Sequence, residues 1–157
     1  MQKITPCLWF DTEGEEAAEF YVSIFPDSKI LEVSRYGDAG PGTAGTAMTV
    51  SFELAGSRFV ALNGGPAFTF NEAVSFQVDC ADQQEVDYFW EGLSKGGEEG
   101  QCGWLKDQFG VSWQIVPAAV PALLADPDRG RSQRAMQAML GMGKLDVAAM
   151  ERAADAG

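Results

Sequence analysis

The side chains of this 157-residue chain that could do acid–base or metal chemistry include no histidine. Lys106 and Arg58 lie on predicted strands, Asp79 directly follows one, and all three could act in acid–base or electrostatic catalysis. Without imidazole, Ser-His-Asp and Cys-His catalysis are excluded in their usual forms, and so are the commonest zinc and iron sites. A general base would have to be a carboxylate, Lys, Tyr, Cys or a bound water.

The three cysteines and the glycine-rich segments offer weaker chemistry. Cys7, Cys80 and Cys102 are widely spaced and form neither a CxxC motif nor a disulfide framework. We predict that Cys7 and Cys80 are buried, inert thiols on strands. Residues 37–45 contain no phosphate-binding glycine motif, and no glycine-rich strand-to-helix turn of the kind a methyltransferase needs is present. Glu98 and Glu99 are predicted to form a loop pair.

The charge of the chain excludes two classes of partner. The formal net charge is −12 with a sequence pI near 4.2, and Lys plus Arg number 11. This balance predicts no binding to nucleic acid or to an anionic membrane surface, because both need clustered basic side chains.

No apolar run reaches the roughly 18 residues of a membrane span. The odd cysteine count favours a reducing compartment, so we expect a cytoplasmic protein.

The elements that would position these residues follow from the apolar periodicity. Ala17, Phe20, Tyr21 and Ile24 are spaced as one helix face, and Val86, Phe89, Trp90 and Leu93 repeat that spacing 69 residues later. The same offset relates the predicted strand at residues 4–10 to that at residues 74–78. An offset of 54 relates the hairpin glycines Gly56 and Gly110.

These offsets predict an α+β chain built from two βαβββ modules followed by a helical tail. The predicted modules cover about residues 1–66 and 71–117, and the tail covers about residues 118–157, all within a single domain. In the tail, Asp126-Pro127-Asp128 is predicted to start a helix with the proline in its first turn.

The chain resembles PhnB-like proteins of the vicinal oxygen chelate superfamily, which includes glyoxalases, bleomycin resistance proteins and extradiol dioxygenases such as dihydroxybiphenyl dioxygenase. The subfamily is also labelled demethylubiquinone methyltransferase-like. The resemblance rests on residues 4–10, Leu62-Asn63-Gly64-Gly65-Pro66, residues 103–117 and the start of the tail. It implies curved mixed sheets around a cleft for a small molecule, and homodimers in which modules are sometimes exchanged.

The resemblance also locates where relatives hold a metal ion. Those positions correspond here to Pro6, Val60, Ser75 and Gln114, and none is a histidine or a carboxylate. Proline and valine side chains cannot ligate a divalent ion, and a serine with one glutamine makes a poor site. We therefore expect no metal ion and no cofactor.

Strand alternation indicates what would replace the metal. The first module would offer a mostly apolar lining and the second module polar groups, which is typical of small-ligand sites. The alternative is a sheet face that merely meets water. The predicted ligand-binding residues are Pro6, Leu8, Phe10, Arg58, Val60, Ser75, Gln77, Trp104 and Gln114.

We predict a metal-free homodimer that binds a small apolar or aromatic molecule in its cleft. One alternative is an enzyme of the same fold, glyoxalase-like, dioxygenase-like or methyltransferase-labelled, that uses Asp79, Lys106 or Arg58. A second alternative is a dimeric interaction module with no ligand. The sequence assigns no catalytic residue and leaves enzymatic activity open.

Overall fold

Each half of the chain folds as a strand, a helix and three further strands. The computed structural model describes residues 1–157 and divides them into two units, Met1–Phe70 and Asn71–Gly157. In the first unit the sheet order is β1-β4-β3-β2, with β1 parallel to β4 and the other pairs antiparallel. Its elements are β1 (Cys7–Phe10), α1 (Gly14–Ile24), β2 (Lys29–Arg35), β3 (Ala47–Leu54) and β4 (Ser57–Asn63).

The second unit repeats this arrangement and adds three helices. Its sheet order is β5-β8-β7-β6, with β5 parallel to β8. Its elements are β5 (Ser75–Cys80), α2 (Gln83–Ser94), β6 (Glu98–Glu99), β7 (Trp104–Lys106), β8 (Ser112–Pro117), α3 (Ala119–Leu124), α4 (Arg129–Leu140) and α5 (Val147–Asp155). The predicted α+β fold with two βαβββ modules and a helical tail is confirmed.

The apolar faces of α1 and α2 each pack on one face of the sheet in their own unit. In the first unit Tyr21 on α1 is fully buried and stacks against Phe52 on β3, with ring centroids 6.2 Å apart. In the second unit Val86 and Leu93 on α2 are fully buried, as is Ile115 on β8. Burial of such side chains contributes roughly 1.5–3 kcal/mol each, so this face of each sheet is the core.

Three local predictions are wrong. Glu98 and Glu99 form β6, because their backbone pairs with Lys106 and Leu105 on β7. Helix α4 begins at Arg129 rather than at Pro127, because the Asp128 carboxylate accepts from the first free N–H groups and caps the helix. Cys7 is exposed, because it lies on the face of β1 that points away from α1.

The Leu62–Pro66 motif ties the first unit together. The Asn63 side chain accepts from the N–H of Gly14 at 2.7 Å and donates to the carbonyl of Ala47 at 3.1 Å. A Cβ on Gly14 would lie 2.6 Å from the Asn63 Oδ1, so glycine is required for this contact. A Cβ on Gly64 would lie 2.4 Å from the Trp9 ring. The motif therefore serves the fold.

The residues around Asp107 serve the second unit in the same way. Asp107 is 3% exposed, and its Oδ1 accepts from the N–H groups of Phe109 and Val111 at 2.9 and 3.0 Å. Its Oδ2 accepts from the indole N–H of Trp113 at 2.9 Å. The carboxylate thus closes the β7–β8 turn and fixes a core tryptophan.

The tail packs on its own apolar cluster within the second unit. Val120, Ala135, Leu145, Met150 and Ala154 are buried together. The Gln83 amide joins the start of α2 to the start of α5, because it donates to the Leu145 carbonyl and accepts from the Val147 N–H, both at 2.9 Å. None of the five helices is both long and apolar enough to cross a membrane.

Candidate functional site

The face of the second sheet opposite its core carries most of the predicted polar site. The strand register places Gln77 beside Gln114 and Ser75 beside Ser112 on β5 and β8. The next strand adds Trp104 beside Gln114. We call this surface the polar face. It comprises Ser75, Gln77, Asp79, Trp104, Lys106, Ser112, Gln114 and Val116.

Hydrogen bonds between neighbouring side chains order the polar face. The Gln114 Nε2 donates to the Ser75 hydroxyl at 2.9 Å, and the Gln77 Nε2 donates to the Asp79 carboxylate at 2.8 Å. Both glutamine amides are therefore oriented along the sheet. Each amide oxygen can still accept, and each has a second N–H to donate. The arrangement can hold a small molecule that carries its own donors and acceptors.

A small pocket opens at the Lys106 end of the polar face. It has a volume of about 120 Å³, and its lining includes Trp104, Lys106, Ser112, Glu72 and Glu98. Lys106 forms an ion pair with Glu72, and both side chains are partly exposed. Ser112 is 1% exposed, and its hydroxyl has no hydrogen-bond partner. A buried hydroxyl without a partner is rare in proteins.

The ion pair sets the charge state of its two members. The hydrogen bond and charge of Glu72 raise the pKa of Lys106 above its ordinary value. The same contact lowers the pKa of the Glu72 carboxyl. Lys106 is therefore held as a cation, and a lysine that acts as a general base needs the opposite shift. This argues against Lys106 as the base of an enzyme.

The structure corrects the predicted lining of the first sheet. Leu8 and Phe10 are 7% and 2% exposed and lie beneath α1. Val60 pairs with Cys7 in the register, and the next pair on that face joins Leu62 to Trp9. The prediction that Pro6, Leu8 and Phe10 share a face with Val60 is therefore wrong. Trp9, which the sequence reasoning missed, lies on that open face instead.

A one-residue difference in offset explains this error. Val60 and Gln114 are 54 residues apart, but their strand partners Cys7 and Gln77 are 70 apart rather than 69. A shift of one residue moves every side chain of a strand to the other face. Counting back 70 from Ser75 gives Thr5, so Thr5 rather than Pro6 is its counterpart by this register.

Arg58 and Val60 lie on β4 in the first unit, on the face opposite the core. Arg58 is exposed, and its backbone N–H donates to the Gln2 side chain at 2.9 Å. A pocket of about 550 Å³ also lies in this unit, between the start of α1 and residues 41–47. Glu15 and Arg35 line it, with a side-chain contact of 3.2 Å, and none of the predicted ligand-binding residues does.

The residues at the superfamily's metal positions do not fit a metal ion. Ser75 and Gln114 are bonded to each other and carry no charge. Val60 and Pro6 bring no carboxylate, thiolate or imidazole donor, and neither does Thr5, which takes the place of Pro6 by register. The structure holds no group of three or more Cys, Asp and Glu side chains arranged to bind a metal. We therefore derive no chemistry through a metal ion.

Comparison with known proteins assigns the family. Residues 2–116 match the family model described as 3-demethylubiquinone-9 3-methyltransferase. A PhnB protein from Bacillus cereus carrying that enzyme name is 37% identical, with a TM-score of 0.69, and the match covers 74% of this chain and 100% of that one. The chain belongs to this PhnB-like family. No curated protein matches the chain.

More distant structures share the fold of this PhnB-like protein. One from Pseudomonas aeruginosa is 20% identical with a TM-score of 0.62, covering 74% of this chain and 98% of that one. The fosfomycin resistance protein FosX from Mesorhizobium loti is 11% identical with a TM-score of 0.53, covering 74% and 92%. At 20% and 11% identity, these likenesses concern the fold alone.

The family name includes a methyltransferase activity, and the residues give it no support of their own. The three strand-to-helix connections, residues 11–13, 81–82 and 118, contain no glycine. A glycine-rich turn at such a connection is the usual way a backbone closely approaches a nucleotide-like cofactor. The family match ends at residue 116, before the three tail helices.

Proposed function

We propose that this PhnB-like protein binds a small apolar or aromatic molecule, without a metal ion, on the polar face of its second sheet. The observation that carries the proposal is the alignment of Gln77, Gln114 and Trp104 on one open face at one level of the sheet. An aromatic ring gives a ligand apolar contact, and two oriented amides give it direction.

The exposure of these side chains supports binding rather than a purely structural role. Gln77 is exposed, and Gln114 and Trp104 are half-buried, so a ligand could reach all three. The opposite faces of the same strands carry Val78 and Ile115, which are buried in the core. The polar face is thus not needed to hold the sheet against its helix.

An enzyme of the same fold is the weaker alternative. It would need a group able to accept a proton, and Lys106 is held as a cation by Glu72. Asp79 already accepts from Gln77, and Arg58 is an exposed residue of β4 in the first unit. No described side chain favours this alternative over binding.

A thermal-shift screen tests the proposal. We would screen aromatic and amphipathic compounds against the wild type, the double variant Gln77→Leu/Gln114→Leu and the control Gln84→Leu, which changes an exposed glutamine on α2. A ligand that binds the folded state must raise the unfolding midpoint. We expect a rise for the wild type and the control and none for the double variant.

Two outcomes of the screen contradict the proposal. A midpoint rise that survives in the double variant would place the ligand elsewhere. If no compound raises the unfolding midpoint of the wild type or of either variant, the result would favour the interaction module without a ligand. The double variant should itself keep a midpoint close to that of the wild type, because both changes lie on the open face; circular dichroism checks this.

We also propose that the protein is a homodimer in the cytoplasm. The dimer is implied by the family resemblance, and the open face of the first sheet carries the half-buried apolar side chains Trp9, Val60 and Leu62. The location rests on the odd, widely spaced cysteines. Light scattering after gel filtration tests the dimer: a monomer mass at micromolar concentration would contradict it.

A further inference from the structure

We propose that the pocket beside Ser112 binds the ammonium group of an organic cation whose apolar or aromatic body lies on Trp104. This inference rests on the proposed function and specifies the chemistry of the ligand. The pocket lies wholly in the second unit and is lined by Glu72, Glu98, Trp104, Lys106 and Ser112 among others.

The charge of the lining favours a cation. The pocket is lined by the acidic residues Glu72, Glu98 and Glu99 and by the single basic residue Lys106. Glu98 lies opposite Lys106 in the β6–β7 register, while Glu99 accepts from the indole N–H of Trp90 at 2.8 Å. At neutral pH the carboxylates of Glu72 and Glu98 outnumber the ammonium of Lys106, and the resulting negative charge attracts a cation and repels an anion.

The buried hydroxyl of Ser112 is the independent sign of a ligand. Its oxygen has no hydrogen-bond partner, although the residue is only 1% exposed. A polar atom left in this state costs about 1–3 kcal/mol until something bonds to it. Its oxygen can accept from the N–H of an ammonium group.

Trp104, the Lys106–Glu72 ion pair and the volume of the pocket also suit an organic cation. The face of an indole ring attracts cations, and Trp104 is half-buried beside the carboxylates. The Lys106–Glu72 pair lies at the surface, where an ion pair contributes little, so an incoming ammonium can displace Lys106 from Glu72. A volume of about 120 Å³ suits a headgroup rather than a whole drug-sized ligand.

The experiment compares three probes that share one phenyl ring and differ in charge: phenethylamine, phenethyl alcohol and hydrocinnamate. Their dissociation constants are measured at neutral pH by NMR, from the indole N–H signal of Trp104 and the side-chain amide signals of Gln77 and Gln114. We expect phenethylamine to bind about fivefold or more tightly than phenethyl alcohol, and hydrocinnamate to bind most weakly.

Three variants and one control separate this site from general surface charge. Glu72→Gln and Ser112→Ala should each weaken phenethylamine binding about fivefold and leave phenethyl alcohol unaffected. Lys106→Met should tighten phenethylamine binding, because it removes the competing cation. Ser112→Ala should not lower the unfolding midpoint, because the lost hydroxyl bonds to nothing. The control Glu91→Gln, on an exposed position of α2, should change none of these constants.

The outcomes distinguish the two proposals. Tightest binding by hydrocinnamate, or loss of phenethylamine binding in Lys106→Met, would overturn the cation site. If all probes move the Gln77 and Gln114 signals with equal affinity, the cation site is wrong and the proposed function stands. If no probe moves the signals of Trp104, Gln77 or Gln114, both proposals fail.

Discussion

The Nε2 of Gln114 donates a hydrogen bond of 2.9 Å to the hydroxyl of Ser75, across the parallel pair β5 and β8. These are the two positions of the second unit that the sequence resemblance matches to the metal ligands of metal-using relatives. Here each side chain satisfies the other, and neither brings negative charge. The remaining capacity of the Gln114 amide faces the open side of the sheet, where it can serve an organic ligand.

The contact between Asn63 and Gly14 should carry much of the stability of the first unit. We expect Asn63→Ala to lower the free energy of unfolding by about 1–3 kcal/mol, because it leaves the Gly14 N–H and the Ala47 carbonyl without their partner. Urea denaturation measures this loss. The control Asn71→Ala, an exposed asparagine that bonds only to the Ala73 N–H, should cost much less.

A double-mutant cycle tests whether Gly14 and Asn63 act as one unit. Gly14→Ala should also destabilise, because its Cβ would lie 2.6 Å from the Asn63 Oδ1. Shortening Asn63 to alanine removes that clash. The double variant should therefore lose less free energy of unfolding than the sum of the two single losses. Strictly additive losses would contradict the contact.

The buried carboxylate of Asp107 should be the most sensitive polar position of the second unit. Asp107→Ala removes three hydrogen bonds and leaves the Trp113 indole N–H unsatisfied. We expect a loss of roughly 3 kcal/mol or more in the free energy of unfolding. Urea denaturation followed by tryptophan fluorescence measures it. Asp38→Ala, at an exposed loop position, is the control; similar losses in both would contradict the role assigned to Asp107.

The polar face could be predicted from sequence because its strands alternate cleanly. In β5 and β8 the residues at every second position are apolar and the others are mostly polar, so Ser75, Gln77 and Gln114 fall on one face without knowledge of the structure. The resemblance and the repeat then identified the partner strands. The orphaned hydroxyl of Ser112 could not be predicted, because burial and bonding depend on side-chain packing.

The sequence of β1 does not show which of its two faces packs against the core. All four residues of β1, Cys7 to Phe10, are apolar, so alternation does not say which pair faces the core. The face was inferred from an offset that holds for α1 and α2 but differs by one residue for β1 and β5. The apolar periodicity of a helix or strand does not reveal a one-residue insertion in the connection before it. A shift of one residue nevertheless moves every side chain of a strand to the other face of the sheet.

The Asp126 carboxylate should stabilise the helical tail at neutral pH and lose this effect in acid. A hydrogen bond from the Asp128 N–H and another from Arg131 lower the pKa of the Asp126 carboxyl. A carboxyl with a lowered pKa in the folded state stabilises it above the unfolded pKa and loses that effect as pH falls through the folded pKa. The contribution should therefore be present at neutral pH and fade below about pH 4.

The variant Asp126→Asn isolates this effect. The unfolding midpoint of the wild type should exceed that of Asp126→Asn at neutral pH, and the difference should shrink as both are measured in increasingly acidic buffer. Asp38→Asn, at an exposed loop position, is the control for the substitution itself. A difference that stays constant down to about pH 2 would show that charge on Asp126 plays no part.

The metal content of the protein tests the central claim most directly. The protein is purified without chelators, incubated with zinc, nickel, iron or manganese, desalted and analysed by mass spectrometry, alongside Gln114→Leu. We predict that neither form retains a stoichiometric metal, and that phenethyl alcohol still shifts the side-chain amide signals of the untreated wild type. A stoichiometric ion that the wild type retains and Gln114→Leu loses would contradict the account, because Ser75 and Gln114 would then be ligands of a metal.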